Sequence, residues 1–354
     1  GTLNAEVTVV NDNANLKTVT VETKILDASG SEVGTPASAE VTVAGASSQA
    51  VTLNPVLSNP NLWSTETPYL YTLRTTVTQD GTVVDEYDTV IGYRWLNWEI
   101  DTGFYLNGEA VKLQHHDQGA LGSVQVYDAL YRQVAILKDM GVNTIRTSHN
   151  TPSDILMDIC NEQGILIMNE FFDGLDTSKN SNTHDFGEYF DTEIAADNNL
   201  MGKENGQMWY EFVLTQSVKR DRNDPCVIVW DIGNEISEGA SVGDFGTIAQ
   251  NMRTMLDALD GSRLICQGNN QRNISSGWPL QVEQYMTLIG GNYAPATWAG
   301  MQSEIASHAD AVTGETGKPF VMTETASAIS TRGSYGNVKN NAVNGGGGMT
   351  DALD

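Results

Sequence analysis

The sequence predicts a multidomain chain. An immunoglobulin-like β-sandwich over residues 1–95 is followed by an (α/β)8 TIM-type barrel over residues 96–354, cut short after its seventh strand. Three observations predict this. The first 95 residues alternate apolar and polar positions with period two. Near residue 100 the rhythm changes to short apolar runs separated by helical patterns. Two of the later runs, "CVIVWDIGNE" and "FVMTE", end in a glutamate.

The sandwich is read strand by strand. "LNAEVTVV" puts Leu3, Ala5, Val7 and Val9 on one face, and "LKTVTVETKI" repeats the pattern with Val19, Val21 and Ile25. "EVTV", "AVTL" and "YLYTLRTTV" follow, broken by Gly, Pro, Ser and Asn. Asp80-Gly81 between "YTLRTTVTQ" and "TVVDEY" is a hairpin signal, because both turn positions need a positive φ. Six or seven short strands in this length suit an antiparallel sandwich. The acids here scatter along solvent faces and form no catalytic constellation.

The barrel begins with "AVKLQ" (110–114) as first strand. Residues 127–140 form a helix with Tyr127, Leu130, Val134 and Leu137 on its inner face. "NTIR" (143–146) is the second strand. "TPSDILMDICNEQG" reads as a helix capped by Thr151, with Pro152 in its first turn and Asp154 beside its positive end, stopping at Gly164. "ILIMNE" (165–170) is the third strand, and a long irregular stretch, 173–207, precedes a helix at 209–221. "CVIVWDIGNE" is the fourth strand, followed by a helix at 246–259. "LICQ" (264–267), "TLIGGNY" (287–293) and "FVMTE" (320–324) are the remaining strands, with "ASHADAVT" in the last helix.

Such barrels place their chemistry at the C-terminal strand ends. Glu235 and Glu324 both fall there, and Glu170 ends the third strand. A pair of convergent carboxylates is what glycosidic bond cleavage requires: one gives a proton to the leaving oxygen, the other attacks or activates water. The bland alternatives are a cap acid for Glu235 and a surface acid for Glu324.

Composition excludes several functions. Net charge is −26, from 45 acidic and 19 basic residues, with no basic stripe to neutralise phosphates. Nucleic acid, anionic membranes and polyanionic substrates are therefore not expected partners. No apolar run approaches the ~20 residues of a membrane span. Cys160, Cys226 and Cys266 lie in apolar periodic segments and read as reduced core residues. Cysteine usage leaves cytoplasmic and secreted bacterial locations both open.

Longer motifs resemble a known family. "LWSTETPYLYTL", "IGYRW", "GFYLNGEAVKLQ", "IRTSHNTPSDILMDICNEQGILIMNEFFDG", "RDRNDPCVIVWDIGNE" and "VMTETASAISTRGSY" are, in this order, similar to segments of glycoside hydrolase family 2, and within it of β-galactosidases. The resemblance implies Glu235 as general acid/base and Glu324 as nucleophile. It implies Asn234 at the sugar 2-hydroxyl, Arg146 beside the nucleophile to keep it ionised, and Tyr293 hydrogen-bonded to it. His149, His115 and Asp173 are implied around the sugar. Structural roles remain the alternative for Arg146, His149, His115, Tyr293 and Asp173. Trp230 reads as core, whereas Trp278 and Trp298 lie near strand ends, where an indole can stack on a sugar.

The sequence also departs from the family. "NE" stands where "DE" usually closes the third strand, and "FFDGLDTSK" lacks the acid and histidine of a magnesium site, so neither catalytic metal nor cofactor is expected. "KLQ" runs directly into "HHDQG", which is short for the first strand and its exit. No jelly-roll domain precedes the sandwich, and only "VKNNAVNGGGGMTDALD" trails the seventh strand. Missing domains, or a homo-oligomer, are expected of the parent protein. The function predicted is a retaining exo-β-glycosidase taking a β-linked glycoside, foremost a β-galactosidase. The alternatives are β-glucuronidase, β-galacturonidase, β-mannosidase or a non-catalytic carbohydrate-binding or structural fragment.

Overall fold

The computed structural model describes residues 1–118, 126–176, 178–179, 182, 184–236, 245–271, 274–293 and 295–325. The C-terminal stretch after residue 325, including "VKNNAVNGGGGMTDALD", and the Trp278 side chain lie outside the described residues.

An N-terminal sandwich comes first. β1 (Ala5–Asn11), β2 (Lys17–Leu26), β3 (Glu32–Val43), β4 (Ser47–Leu53), β5 (Tyr71–Gln79) and β6 (Thr82–Ile91) form two antiparallel sheets, β1-β4 and β3-β2-β5-β6. The period-two pattern becomes the core between them: Val9, Val19, Val21, Val41, Val43 and Leu53 pack together. The β5–β6 hairpin turns at Asp80 (φ 49°) and Gly81 (φ 78°), the left-handed pair the sequence required.

β7 (Leu96–Glu99), β8 (Gly103–Leu106) and β9 (Glu109–Ala110) make a small antiparallel sheet that leads to the barrel. The barrel strands are β10 (His115–Asp117), β11 (Thr144–Arg146), β12 (Leu166–Glu170), β13 (Val227–Asn234), β14 (Leu264–Asn269), β15 (Ile289–Asn292) and β16 (Phe320–Glu324). They pair in sequence order and all in parallel, giving seven strands of a nearly closed barrel. The connecting helices are α1 (Tyr127–Asp139), α2 (Asp154–Gln163), α3 (Trp209–Asp221), α4 (Phe245–Leu259), α5 (Gly277–Glu283), α6 (Pro295–Gly300) and α7 (Gln302–Ser307). Every residue of β12 and β13 is buried, as expected for strands covered on both faces. No helix among the described residues is long and apolar enough to cross a membrane.

Four expectations need correction. The first barrel strand is His115–Asp117, not 110–114. The Asn143 side chain ties down the Lys112 carbonyl and the Gln114 amide, and the backbone bonds of the stretch are single ones, Val111 to Phe104 and Asn143 to Gln114. Tyr127 is exposed; its hydroxyl donates to Glu162, while Leu130, Val134 and Leu137 do face inward. The cap of α2 is Ser153, whose Oγ accepts from the Leu156 amide, and not Thr151. "ASHADAVT" is mostly not helical: α7 ends at Ser307, and Ala309 bridges to Thr316.

The sandwich segment is bolted to the barrel where the strands begin. Trp63 is fully buried, and its Nε1 donates to the Asn161 carbonyl of α2. Arg94 donates to the Pro225 and Val227 carbonyls at the start of β13, both at 2.7 Å. Gly164, in the left-handed conformation at the end of α2, has no room for a side chain: a Cβ would sit 2.6 Å from the Thr65 carbonyl oxygen.

Candidate active site

At the opposite end of the strands, the chain gathers charges that apolar strands do not normally tolerate. Arg146 ends β11 with none of its surface exposed. A guanidinium there needs partners on every side. Its Nε donates to Asp231 at 2.8 Å and its Nη1 to Glu324 at 3.0 Å. Glu170 lies 3.2 Å from Nη2 and Asp117 3.7 Å from Nη1. One cation thus faces four carboxylates from four strands. Burial works against the Arg146 charge, but the carboxylates outweigh it and push its pKa far up. Burial pushes the acids upward too, against the pull of Arg146. Asp117 is pushed up to about 7, and Asp231 and Glu170 also rise.

His149 follows β11, after a cis Ser148–His149 peptide. Its Nδ1 is 3.1 Å from both Glu170 oxygens, and its Nε2 is 3.8 Å from Glu324. Burial pulls the His149 pKa down, yet the hydrogen bond and charge of Glu170 leave it raised.

The end of β13 bends sharply. Asn234 is buried, and its Oδ1 accepts from Arg146 Nη2 (3.3 Å) and Asn292 Nδ2 (3.0 Å). Glu235 follows with φ 43°, a conformation that side-chain-bearing residues rarely adopt. Its amide donates to the Gly268 carbonyl at 2.7 Å, and its Oε1 accepts from Asn292 Nδ2 at 2.9 Å. Asn292 is in turn fixed by Thr323 Oγ1, which donates to its Oδ1 at 2.6 Å. Gly268 lies beneath this cluster. A Cβ there would be 2.5 Å from Arg146 Nη2 and 3.0 Å from Asn234 Oδ1.

Tyr293 also has a left-handed backbone, φ 56°, and its amide donates to the Glu324 carbonyl at 2.7 Å. Its hydroxyl lies beside both Glu324 and Glu235. Burial and these two charges push its pKa upward.

Seven of the eight expected residues therefore meet in one network: Glu235, Glu324, Asn234, Arg146, Tyr293, His149 and Asp173. Asp173 takes its place through Asn234, whose Nδ2 is 3.4 Å from Asp173 Oδ1. His115 lies at the margin, 4.0 Å from Asp117, and burial lowers its pKa. Trp298 is unavailable for stacking on a sugar: it is 1% exposed, donates to the Asn292 carbonyl and packs on Phe320. Trp230 is core as expected, with Nε1 bonded to Asp260.

Glu170, read from the sequence only as the acid ending the third strand, joins the network, and so do residues given no site role there: Asp117, Asp231, Asn292, Thr323 and Lys179, whose ammonium donates to Asp173 at 2.9 Å. Asp231 carried a signal, since an aspartate inside "CVIVWDIG" demands a buried cation. Asn292 and Lys179 carried none, because each acts through contacts that only the fold creates.

Comparison with known proteins fits this geometry. The family profile described as "Glycosyl hydrolases family 2" matches residues 1–94, and "Glycosyl hydrolases family 2, TIM barrel domain" matches residues 100–343. A β-galactosidase of Bacteroides ovatus is 31% identical over 94% of this chain, which spans 40% of that relative's length. A protein of Formosa agariphila described as a putative β-glucuronidase is 31% identical over 78% of the chain and 22% of its own length. Among solved structures, a family 2 glycosyl hydrolase from Bacteroides cellulosilyticus superposes with a TM-score of 0.73 at 25% identity, covering 92% of this chain and 40% of that one. The chain belongs to glycosyl hydrolase family 2.

Proposed function

We propose that this chain carries the catalytic centre of a retaining exo-β-glycosidase that acts on terminal β-galactosides. Glu324 attacks the anomeric carbon while Glu235 protonates the departing oxygen. A glycosyl-enzyme forms, and Glu235 then takes a proton from the water that releases the sugar. The observation that carries this reading is that one network joins the two strand-end glutamates: Arg146 donates to Glu324 at 3.0 Å, Asn292 donates to Glu235 at 2.9 Å, and both donors also bond Asn234 Oδ1.

The roles are assigned by the neighbours. Glu324 has the Arg146 guanidinium at 3.0 Å, as suits a group that must act as an anion. Glu235 has the neutral Asn292 amide, as suits a group that alternates between acid and base.

A uronic acid substrate, suggested by the β-glucuronidase description of the Formosa relative, is favoured less. Its carboxylate needs a free cation. Among the described residues at the site, Arg146 already serves Asp117, Glu170, Asp231 and Glu324, and Lys179 serves Asp173.

A panel of nitrophenyl β-glycosides, followed by NMR of the first-formed anomer, tests the proposal on the full-length protein. Release of β-galactose as the first product is expected. Release of the α-anomer, or hydrolysis confined to uronides, would overturn it.

A further inference from the structure

The loop after β12 delivers an unexpected cation to the back of the site. Lys179 is 8% exposed, although a lysine is costly to bury without partners. The loop is folded around Asp185, whose Oδ1 accepts from Ser178 Oγ at 2.6 Å and whose Oδ2 accepts from the Lys179 amide at 3.2 Å. Phe186, next along the chain, stacks on Phe172 with ring centroids 5.4 Å apart. The ammonium so positioned donates to Asp173 Oδ1 at 2.9 Å and to the Asn234 carbonyl at 2.5 Å.

That carbonyl belongs to the peptide joining Asn234 to Glu235. The N–H of the same peptide donates to the Gly268 carbonyl at 2.7 Å. Both edges of one peptide plane are therefore pinned, one by Lys179 and the other by Gly268. The orientation of that plane about the N–Cα bond defines φ at Glu235, which stands at 43°. An isolated glutamate would relax out of this region. Release of the carbonyl edge frees the plane to turn and the side chain to swing with it.

Building on the assignment of Glu235 as acid/base, we propose that Lys179 is its positioning residue. The ammonium holds the Asn234–Glu235 peptide plane and so aims the Glu235 carboxyl at the glycosidic oxygen. Lys179 itself touches no reacting atom.

The test is leaving-group dependence, measured on the full-length protein with Lys179→Met, Lys179→Arg and, in parallel, Glu235→Gln. Aryl β-galactosides with poor leaving groups need a proton from Glu235, whereas dinitrophenyl β-galactoside does not. Positioned general acids contribute roughly 10²–10⁴-fold. Lys179→Met is expected to lower kcat/KM for phenyl β-galactoside at least ~10-fold and for dinitrophenyl β-galactoside less than ~3-fold. Lys179→Arg, which keeps the charge with altered reach, should shift the same ratio by an intermediate amount. Equal fractional losses on both substrates, as general loosening of the site would give, would overturn the proposal; so would no loss at all. Should Lys179→Met not fold, an unchanged ratio in Lys179→Arg overturns it. Glu235→Gln separates the two levels. If it splits the substrates and the lysine variants do not, only the role of Lys179 falls. If Glu235→Gln itself gives no split, the acid/base assignment falls and takes the lysine proposal with it.

Discussion

Replacing Arg146 by Met removes the single cation at the centre of four carboxylates. The ion pairs measure 2.8 Å to Asp231, 3.0 Å to Glu324, 3.2 Å to Glu170 and 3.7 Å to Asp117. With an effective dielectric constant of ~20, each attraction is about 5 kcal/mol gross, most of it offset by desolvation. What the substitution exposes is the net cost of leaving buried acids unpaired, about 3–5 kcal/mol. For a chain of 354 residues, an unfolding entropy of about 2.1 cal/mol/K per residue turns 4 kcal/mol into a Tm drop of about 5 °C. The loss should depend on pH, and its sign follows from the acids. Burial raises Asp117 to about 7, and Glu170 and Asp231 are raised as well. At pH 5 Asp117 and Glu170, the latter also raised to about 7, are largely protonated and need the cation less. At pH 8 they are ionised and need it most. Melting followed by tryptophan fluorescence should show the larger loss at pH 8. A drop below 1 °C at pH 8, or a larger drop at pH 5, would refute the account of Arg146 as a charge-balancing hub.

Three more outcomes are expected. Gly268→Ala puts a methyl 2.5 Å from Arg146 Nη2 and 3.0 Å from Asn234 Oδ1, so kcat/KM should fall at least ~100-fold, since misplacement by ~1 Å costs about that much; an unimpaired variant would mean that the cluster relaxes freely. Asp117→Asn removes an acid whose folded pKa exceeds its ordinary 3.8, so its stabilising effect is complete below about pH 4 and lost as pH rises through about 7. Tm of this variant should therefore decline less between pH 4 and pH 7 than that of the unsubstituted protein, which parallel melts would check. Trp63→Ala empties a fully buried site and should cost about 3–5 kcal/mol in a denaturant titration while leaving KM unchanged; an altered KM would contradict the separation of floor and mouth.

Much of the fold was legible because period-two and strand–helix rhythms are properties of neighbouring residues. "FVMTE" became β16 without adjustment, and α2 stopped at Gly164 as foreseen. The misreadings share a cause. "AVKLQ" has strand-like residues, but Asn143, some thirty positions away, captures its backbone. At the site, Glu235 and Glu324 were visible because an acid at the end of an apolar strand is a local anomaly. Lys179 was not, because its position depends on how a loop of more than thirty residues folds back on Asp173 and Asn234.

The bolts at Trp63, Arg94 and Gly164 divide the barrel's labour between its two ends. They grip the N-terminal ends of the strands, whereas Arg146, Glu235 and Glu324 stand at the C-terminal ends. A change in the loops that choose the sugar need not disturb the docking seam, and a change in the seam need not retune the sugar. This gives the scaffold a modular tolerance: new specificities can be explored at the mouth by substitution and insertion, while the sandwich goes on supplying the barrel with a fixed foundation.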